Sequence, residues 1–166
     1  MERLLWYFIL YSFLGFLVEV AFARAVRAEK QDRKCFYFLP LCPVYGLGAL
    51  LILAPAQQLY PYPILVAVWS ALAATGAEYV MSLFYEKVLG VSFWDYTQLP
   101  GNLRGRICPL FSAFWSLLGL LSVYLIQPMA AAAADQIPTL LLRAVAVVLL
   151  LDGGLTVFLL RKTGST

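Results

Sequence analysis

Carboxylates set inside otherwise apolar segments are the residues of this sequence with the most chemistry to offer. Glu19 interrupts the run LLWYFILYSFLGFLVEVAFAR at residues 4–24, and Glu78 interrupts a later run that closes with Glu86. From Glu78 to Pro109 the chain reads EYVMSLFYEKVLGVSFWDYTQLPGNLRGRICP, and its polar middle carries Trp94, Asp95, Tyr96, Asn102, Arg104 and Arg106. The insertion scale sets the cost of a central Asp at about 2.5–3.5 kcal/mol, while each Leu, Ile, Phe or Val returns about 0.3–0.6. Residues held at such a cost usually face a bundle interior and mark a pathway or a site. A buried carboxylate can also lower the cost by keeping its proton, which suits proton coupling or general acid–base work. The competing reading is a clasp, in which Glu78 or Glu19 pairs with Arg106 or Arg104 dipping in from the loop and only holds helices together.

Trp94-Asp95-Tyr96 has a similar duality. Interfacial Trp and Tyr often just anchor a helix at the headgroup layer, whereas Asp95 can attract a cation and Asn102 and Arg106 can donate hydrogen bonds. A further carboxylate, Asp152 beside Gly153-Gly154, reads equally as a packing kink or as part of a site.

The elements that must position these groups are membrane spans. The 166 residues are 63% hydrophobic and 13% charged with a mean hydropathy of +0.83, against about 45–50% and about 25% in soluble domains. The fold class is therefore all-α: a polytopic membrane helix bundle forming one transmembrane domain over residues 1–166, with any ATPase or soluble catalytic unit on another chain. The net charge of +3 speaks to topology and not to nucleic acid, because the basic residues sit beside the spans. The chain has no histidine, which removes the commonest metal ligand and the usual general base. Cys35, Cys42 and Cys108 lack CxxC spacing and read as small apolar-contact residues, so neither a metal nor another cofactor is expected.

About five spans are predicted, at about 4–24, 44–59, 64–86, 109–127 and 139–160, each judged against a core of about 20 residues. The first resembles a signal peptide at Ala21-Phe22-Ala23, but Glu19 and the near absence of basic residues before it favour a retained helix. Pro40, Pro43, Gly46 and Gly48 spoil the first turns of the second span, which is expected to be short, tilted or partly re-entrant. Irregular backbone at membrane depth is tolerated only where it is buried in protein or lines a cavity, so Cys42-Pro43-Val44-Tyr45-Gly46 is a candidate wall; an ordinary proline-started helix is the alternative. Ser12, Gly15 and Glu19 share one helical face, and Thr75, Glu78 and Ser82 repeat the spacing, with Ala73, Ala74, Gly76 and Ala77 small enough for close packing. Pro128 to Pro138 is expected to be an outer linker. Ten of the 12 Lys and Arg flank one side: Arg24, Arg27, Lys30, Arg33, Lys34, Lys87, Arg104, Arg106, Arg161 and Lys162. The positive-inside rule then places the N-terminus outside and the C-terminus in the cytoplasm.

Several pieces in order resemble a family of small bacterial membrane proteins, the Putative ABC-transporter type IV or CmpB family. They are Tyr11-Ser12-Phe13-Leu14-Gly15 with Glu19, Pro40-Leu41-Cys42-Pro43-Val44-Tyr45-Gly46-Leu47-Gly48, Glu78-Tyr79, Glu86, Trp94-Asp95-Tyr96, Asn102-Leu103-Arg104-Gly105-Arg106-Ile107-Cys108 and Trp115. The resemblance covers about residues 5–120 and leaves the fifth span outside it. The chain departs from the family pattern at Lys34-Cys35 and Leu39-Pro40, where Arg-Gly and Gly-Pro are expected. The resemblance implies a permease in a bacterial inner membrane, with a separate ATPase subunit docking on residues 87–108.

Three functions compete. A transport component, most simply a homo-oligomer because five short spans enclose little volume, would line a cytoplasmic-side cavity for a small polar or cationic solute with Glu19, Tyr45, Glu78, Glu86 and the polar loop residues. A membrane enzyme acting on a lipid headgroup would use Glu78 or Glu19 as acid–base group and Arg104 and Arg106 to hold phosphate, although no nucleophile motif names a reaction. A structural or regulatory subunit would use the polar groups only to assemble helices.

Overall fold

The computed structural model describes residues 2–28 and 35–163, so Lys30, Arg33 and Lys34 lie outside the described residues. Among the described residues four helical stretches are long and apolar enough to cross a membrane: Glu2–Ala25, Pro63–Leu89, Pro109–Ala134 and Thr139–Lys162. The first is α1 (Glu2–Ala25), whose 24 residues rise about 36 Å against a hydrocarbon core of about 30 Å.

The second crossing is broken, as the proline and glycine cluster predicts. Helix α2 (Pro43–Leu53) has 11 residues and rises only about 16 Å, half the core. It starts deep, because the Cys42 amide donates to the carbonyl of Ser12 at 3.0 Å, near the middle of α1. Pro40 and Pro43 disfavour helix in the residues before them, so residues 35–42 reach that depth as irregular chain. Their amides still find partners: Phe38 and Leu39 donate to the Asp152 carboxylate, at 3.1 and 2.7 Å, and Tyr37 donates to Thr156 Oγ1 at 2.9 Å. The helix expected over 44–59 is also cut near Pro55, leaving a single turn, α3 (Ala56–Leu59).

Helix α4 (Pro63–Phe84) runs into a π-helical turn, Tyr85–Leu89. Gly90 ends it in the left-handed region, at φ 72°, where a side chain would be strained. Helix α5 (Pro109–Leu121) continues through a second π-helical turn, Ser122–Ile126, into α6 (Gln127–Ala134). The expected linker at Pro128–Pro138 is thus helical as far as Ala134. Pro128 falls in the first turn after the π turn has reset the hydrogen-bond ladder, where its missing N–H is tolerated, and the alanine run has the highest helix propensity. Helix α7 (Thr139–Thr163) is the last described element.

Contacts fix the directions. Phe22 meets Phe111, Tyr11 donates to Gln127 Oε1 and Trp6 donates to the Ala130 carbonyl, so α1 runs antiparallel to α5 and α6. Ser116 donates to the Ala67 carbonyl and Thr75 to Ser112 Oγ, so α4 and α5 are antiparallel too. Backbones approach closely at small residues: a methyl on Gly15 would overlap the Tyr45 ring, one on Gly46 would overlap Ser12 Oγ, and one on Gly119 would overlap Ser70. Ala74 and Ala77 are buried, but Gly76 faces outward with nothing near it and takes no part in packing. Ile52, Val66, Ala74, Trp115 and Val123 form the core between α2, α4 and α5. Helix α7 lies on the periphery, tied to α1 by Arg143–Glu2 at one end, where Arg3 also pairs with Asp135 at the end of α6, and packed through Leu160 on Tyr85 and Leu89 at the other. The ends of α1, α4 and α7 and the start of α5 share one side, which gathers Arg24, Arg27, Lys87, Arg104, Arg106, Arg161 and Lys162.

Candidate functional site

Two carboxylates and four aromatic rings from four helices and one loop meet in the half of the bundle nearest the basic side. On α1, Gly15 leaves room for the Tyr45 ring, and the Tyr45 hydroxyl donates to Glu19 Oε1 at 2.7 Å. Tyr45 lies in the first turn of α2, so the deep start of that short helix is what brings it to Glu19. Its ring packs on Trp115 of α5, with centroids 4.8 Å apart. Trp115 Nε1 donates to Glu78 Oε2 at 3.2 Å. The other oxygen of Glu78 accepts from the Tyr96 hydroxyl at 2.8 Å, and the Tyr96 ring stacks on Phe111 at 4.5 Å. The result is a continuous array, Glu19–Tyr45–Trp115–Glu78–Tyr96–Phe111, in which Glu78 is 5% exposed and Trp115 6%.

Among the described residues no Lys or Arg makes an ion pair with Glu19 or Glu78. The expected clasp with Arg104 or Arg106 is not formed. Arg106 pairs with Glu86 at the rim, where the Glu86 side chain is 55% exposed, while Tyr96 and Trp115 donate to the two Glu78 oxygens. Burial, and after it the charge of Glu78, push the Tyr96 phenol well above its usual range, so Tyr96 is a fixed donor to that carboxylate.

The remaining loop candidates build the support that carries Tyr96. Asp95 Oδ1 accepts from the Thr97 amide at 2.9 Å, an Asx turn. Asn102 donates to the carbonyls of Leu99 and Thr97 and accepts from the Gly105 amide, while Tyr96 donates its amide to the Gly105 carbonyl. Gly105, at φ 68°, is forced, since a methyl there would meet Asp95 and Thr97. Trp94 Nε1 donates to the Arg106 carbonyl at 3.0 Å, and Arg104 is exposed with a left-handed backbone, φ 55°. Of the ten candidates read from sequence, Glu19, Tyr45, Glu78 and Tyr96 converge; Trp94, Asp95, Asn102 and Arg104 shape the loop; Glu86 and Arg106 close its rim.

One residue escaped the sequence reading of the site. Trp115 is the bridge of the array, and its signal was available: an indole N–H inside a span needs an acceptor, and intramembrane carboxylates are the obvious ones. Asp152 is 4% exposed and belongs to neither a kink nor this array, because both its oxygens accept the amides of Phe38 and Leu39. Among the described residues no three His, Cys, Asp or Glu side chains gather as a metal site would require.

The family described as Putative ABC-transporter type IV matches residues 6–157, and the chain belongs to that family. The match runs through most of α7, beyond the 5–120 that the motifs covered, so the fifth span lies inside the family pattern. No curated protein and no solved structure matches the chain.

Proposed function

We propose that this family member is the membrane component of a transport system, and that the array between Glu19 and Tyr96 binds a small cationic solute in passage. One observation carries the reading. Two intramembrane carboxylates are held by neutral donors, Tyr45 for Glu19 and Tyr96 with Trp115 for Glu78, and among the described residues no cationic side chain pairs with either. A structural clasp would pair each carboxylate with a fixed cation; a solute site keeps the counter-charge vacant and lines it with rings. A cation over the face of Trp or Tyr gains about 0.5–2 kcal/mol besides its attraction to the carboxylates. The headgroup-enzyme reading is weaker, since Arg106, half of its phosphate grip, is already engaged by Glu86.

Under this reading the basic side faces the cytoplasm, and the loop between Leu89 and Pro109 offers the surface on which a separate ATPase subunit would dock, two copies of the chain enclosing the pathway. The test is uptake of labelled tetramethylammonium and methylammonium into vesicles carrying the protein with its co-purifying partners. Saturable uptake that Glu78→Gln and Glu19→Gln each abolish supports the proposal. Uptake indifferent to both substitutions refutes it.

A further inference from the structure

We infer that Cys35 and Cys42 form a reversible intramolecular disulfide at the break in the second crossing, a modification site separate from the carboxylate array. Their sulfurs lie 3.7 Å apart, and an S–S bond measures about 2.05 Å, so closure needs an approach of less than about 2 Å. The approach is prepared on both sides. The Cys35 amide donates to the Leu41 carbonyl, the Cys42 amide donates to Ser12 of α1, and the chain between them is pinned to Asp152 and Thr156 of α7. The thiols therefore meet through a fixed loop and not through a chance excursion of free chain.

The two cysteines differ in access in the way such chemistry requires. Cys35 is half-buried and can meet a small reagent, while Cys42 is 2% exposed and is reached through Cys35.

The reaction is thiol–disulfide exchange with a low-molecular-weight disulfide. The Cys35 sulfur, giving up its proton, attacks one sulfur of the reagent, breaks its S–S bond and releases one small thiol. Cys42, giving up its proton, then attacks the Cys35 sulfur of the mixed disulfide and releases the second small thiol. Two protein thiols are oxidised to one disulfide and one small disulfide is reduced to two thiols. In a reducing compartment such a bond is transient and reports redox state. Closing it would fix the irregular segment that leads directly into Pro43-Val44-Tyr45 at the start of α2.

The experiment incubates the native protein with oxidised glutathione, then denatures it, labels free thiols with a maleimide and weighs the product. The reduced chain takes three labels, one on each cysteine. The oxidised chain is expected to take one, on Cys108, and chymotryptic cleavage between residues 35 and 42 is expected to leave the two fragments joined until a reductant is added. Cys108→Ser should close as fully as the wild type; if that variant does not fold, the joined wild-type fragments give the same answer. Three labels after oxidation, a linkage through Cys108, or glutathione remaining on Cys35 would each overturn the inference.

Discussion

Replacing Glu78 by Gln separates a charge from a shape. The carboxylate accepts two hydrogen bonds, from Trp115 Nε1 and from the Tyr96 hydroxyl. An indole can only donate, so the Gln carbonyl must turn to Trp115, and the Gln amide then donates to Tyr96, whose hydroxyl can accept as well as donate. Both contacts survive, and the expected cost to stability is below about 1 kcal/mol. Glu78→Ala instead strands two polar groups at about 1–3 kcal/mol each. Solute binding is expected to respond in a different way. A cation about 4 Å from the carboxylate gains about 4 kcal/mol at an effective dielectric near 20. Stripping water from the ion offsets much of that, yet one third of it is still about 1.4 kcal/mol, a tenfold loss of affinity. Glu78→Gln should therefore unfold in detergent at nearly the wild-type temperature while binding tetramethylammonium at least tenfold more weakly by titration calorimetry. Equal binding by both proteins, or a Glu78→Gln protein as unstable as Glu78→Ala, would refute this reasoning and return Glu78 to a structural role.

Gly15→Ala puts a methyl against the Tyr45 ring and should lower stability by about 1–3 kcal/mol through overpacking, with loss of tetramethylammonium binding as Tyr45 leaves Glu19; unchanged binding would show that the α1–α2 contact does not set the site. Asp152→Ala leaves the Phe38 and Leu39 amides without acceptors, at about 1–3 kcal/mol each, and should make residues 35–42 the first point of protease cleavage. Glu86→Gln removes the partner of Arg106, whose side chain is only 13% exposed, so the loss of stability, read from the unfolding temperature, should be about 1–3 kcal/mol, more than for a fully exposed ion pair. Tyr96 holds its proton more tightly folded than unfolded, so its contribution is complete below about pH 10 and is lost as pH rises beyond that, by up to about 1.4 kcal/mol per pH unit; Tyr96→Phe should flatten that alkaline fall in unfolding temperature.

How far the sequence reveals this arrangement depends on whether a residue's role is set locally. The long spans are legible because an apolar run of that length has few alternatives, and Pro40 and Pro43 announce the broken crossing through backbone sterics alone. The shared faces of Ser12, Gly15 and Glu19, and of Thr75, Glu78 and Ser82, follow from helical periodicity, and Glu19 and Glu78 do turn inward. What periodicity cannot give is the depth of one element against another. Arg106 sits near enough in sequence to reach either Glu86 or Glu78, and only the fold of the loop sends it to Glu86. Asp152 looks like a kink because Gly153-Gly154 follow it, but its role depends on residues 37–39, more than a hundred positions away, which arrive without their own helical partners. The continuation of α5 into α6 was hidden by Pro128, whose helix-breaking tendency is cancelled by a π turn that no local composition signals.

The two irregular segments explain why the array lies where it does. An all-helical bundle of this size would fill its own interior with apolar side chains, leaving carboxylates at mid-depth no donors except one another or a buried Arg. Here α2 starts halfway down α1, and the chain before it is neutralised by Asp152 and Thr156, so Tyr45 arrives at Glu19 from one side. The loop after α4, held by Asn102, Asp95 and Gly105, brings Tyr96 down to Glu78 from the other. Trp115 links the two sides, packing on the Tyr45 ring and donating to Glu78. Each carboxylate is thus held by a tyrosine on an element other than its own helix, and a neutral O–H···O contact can be exchanged for a cation at far lower cost than a buried ion pair can be broken. Under the proposed solute-site reading, the same two segments that interrupt the regular bundle are the ones that leave its carboxylates open to exchange.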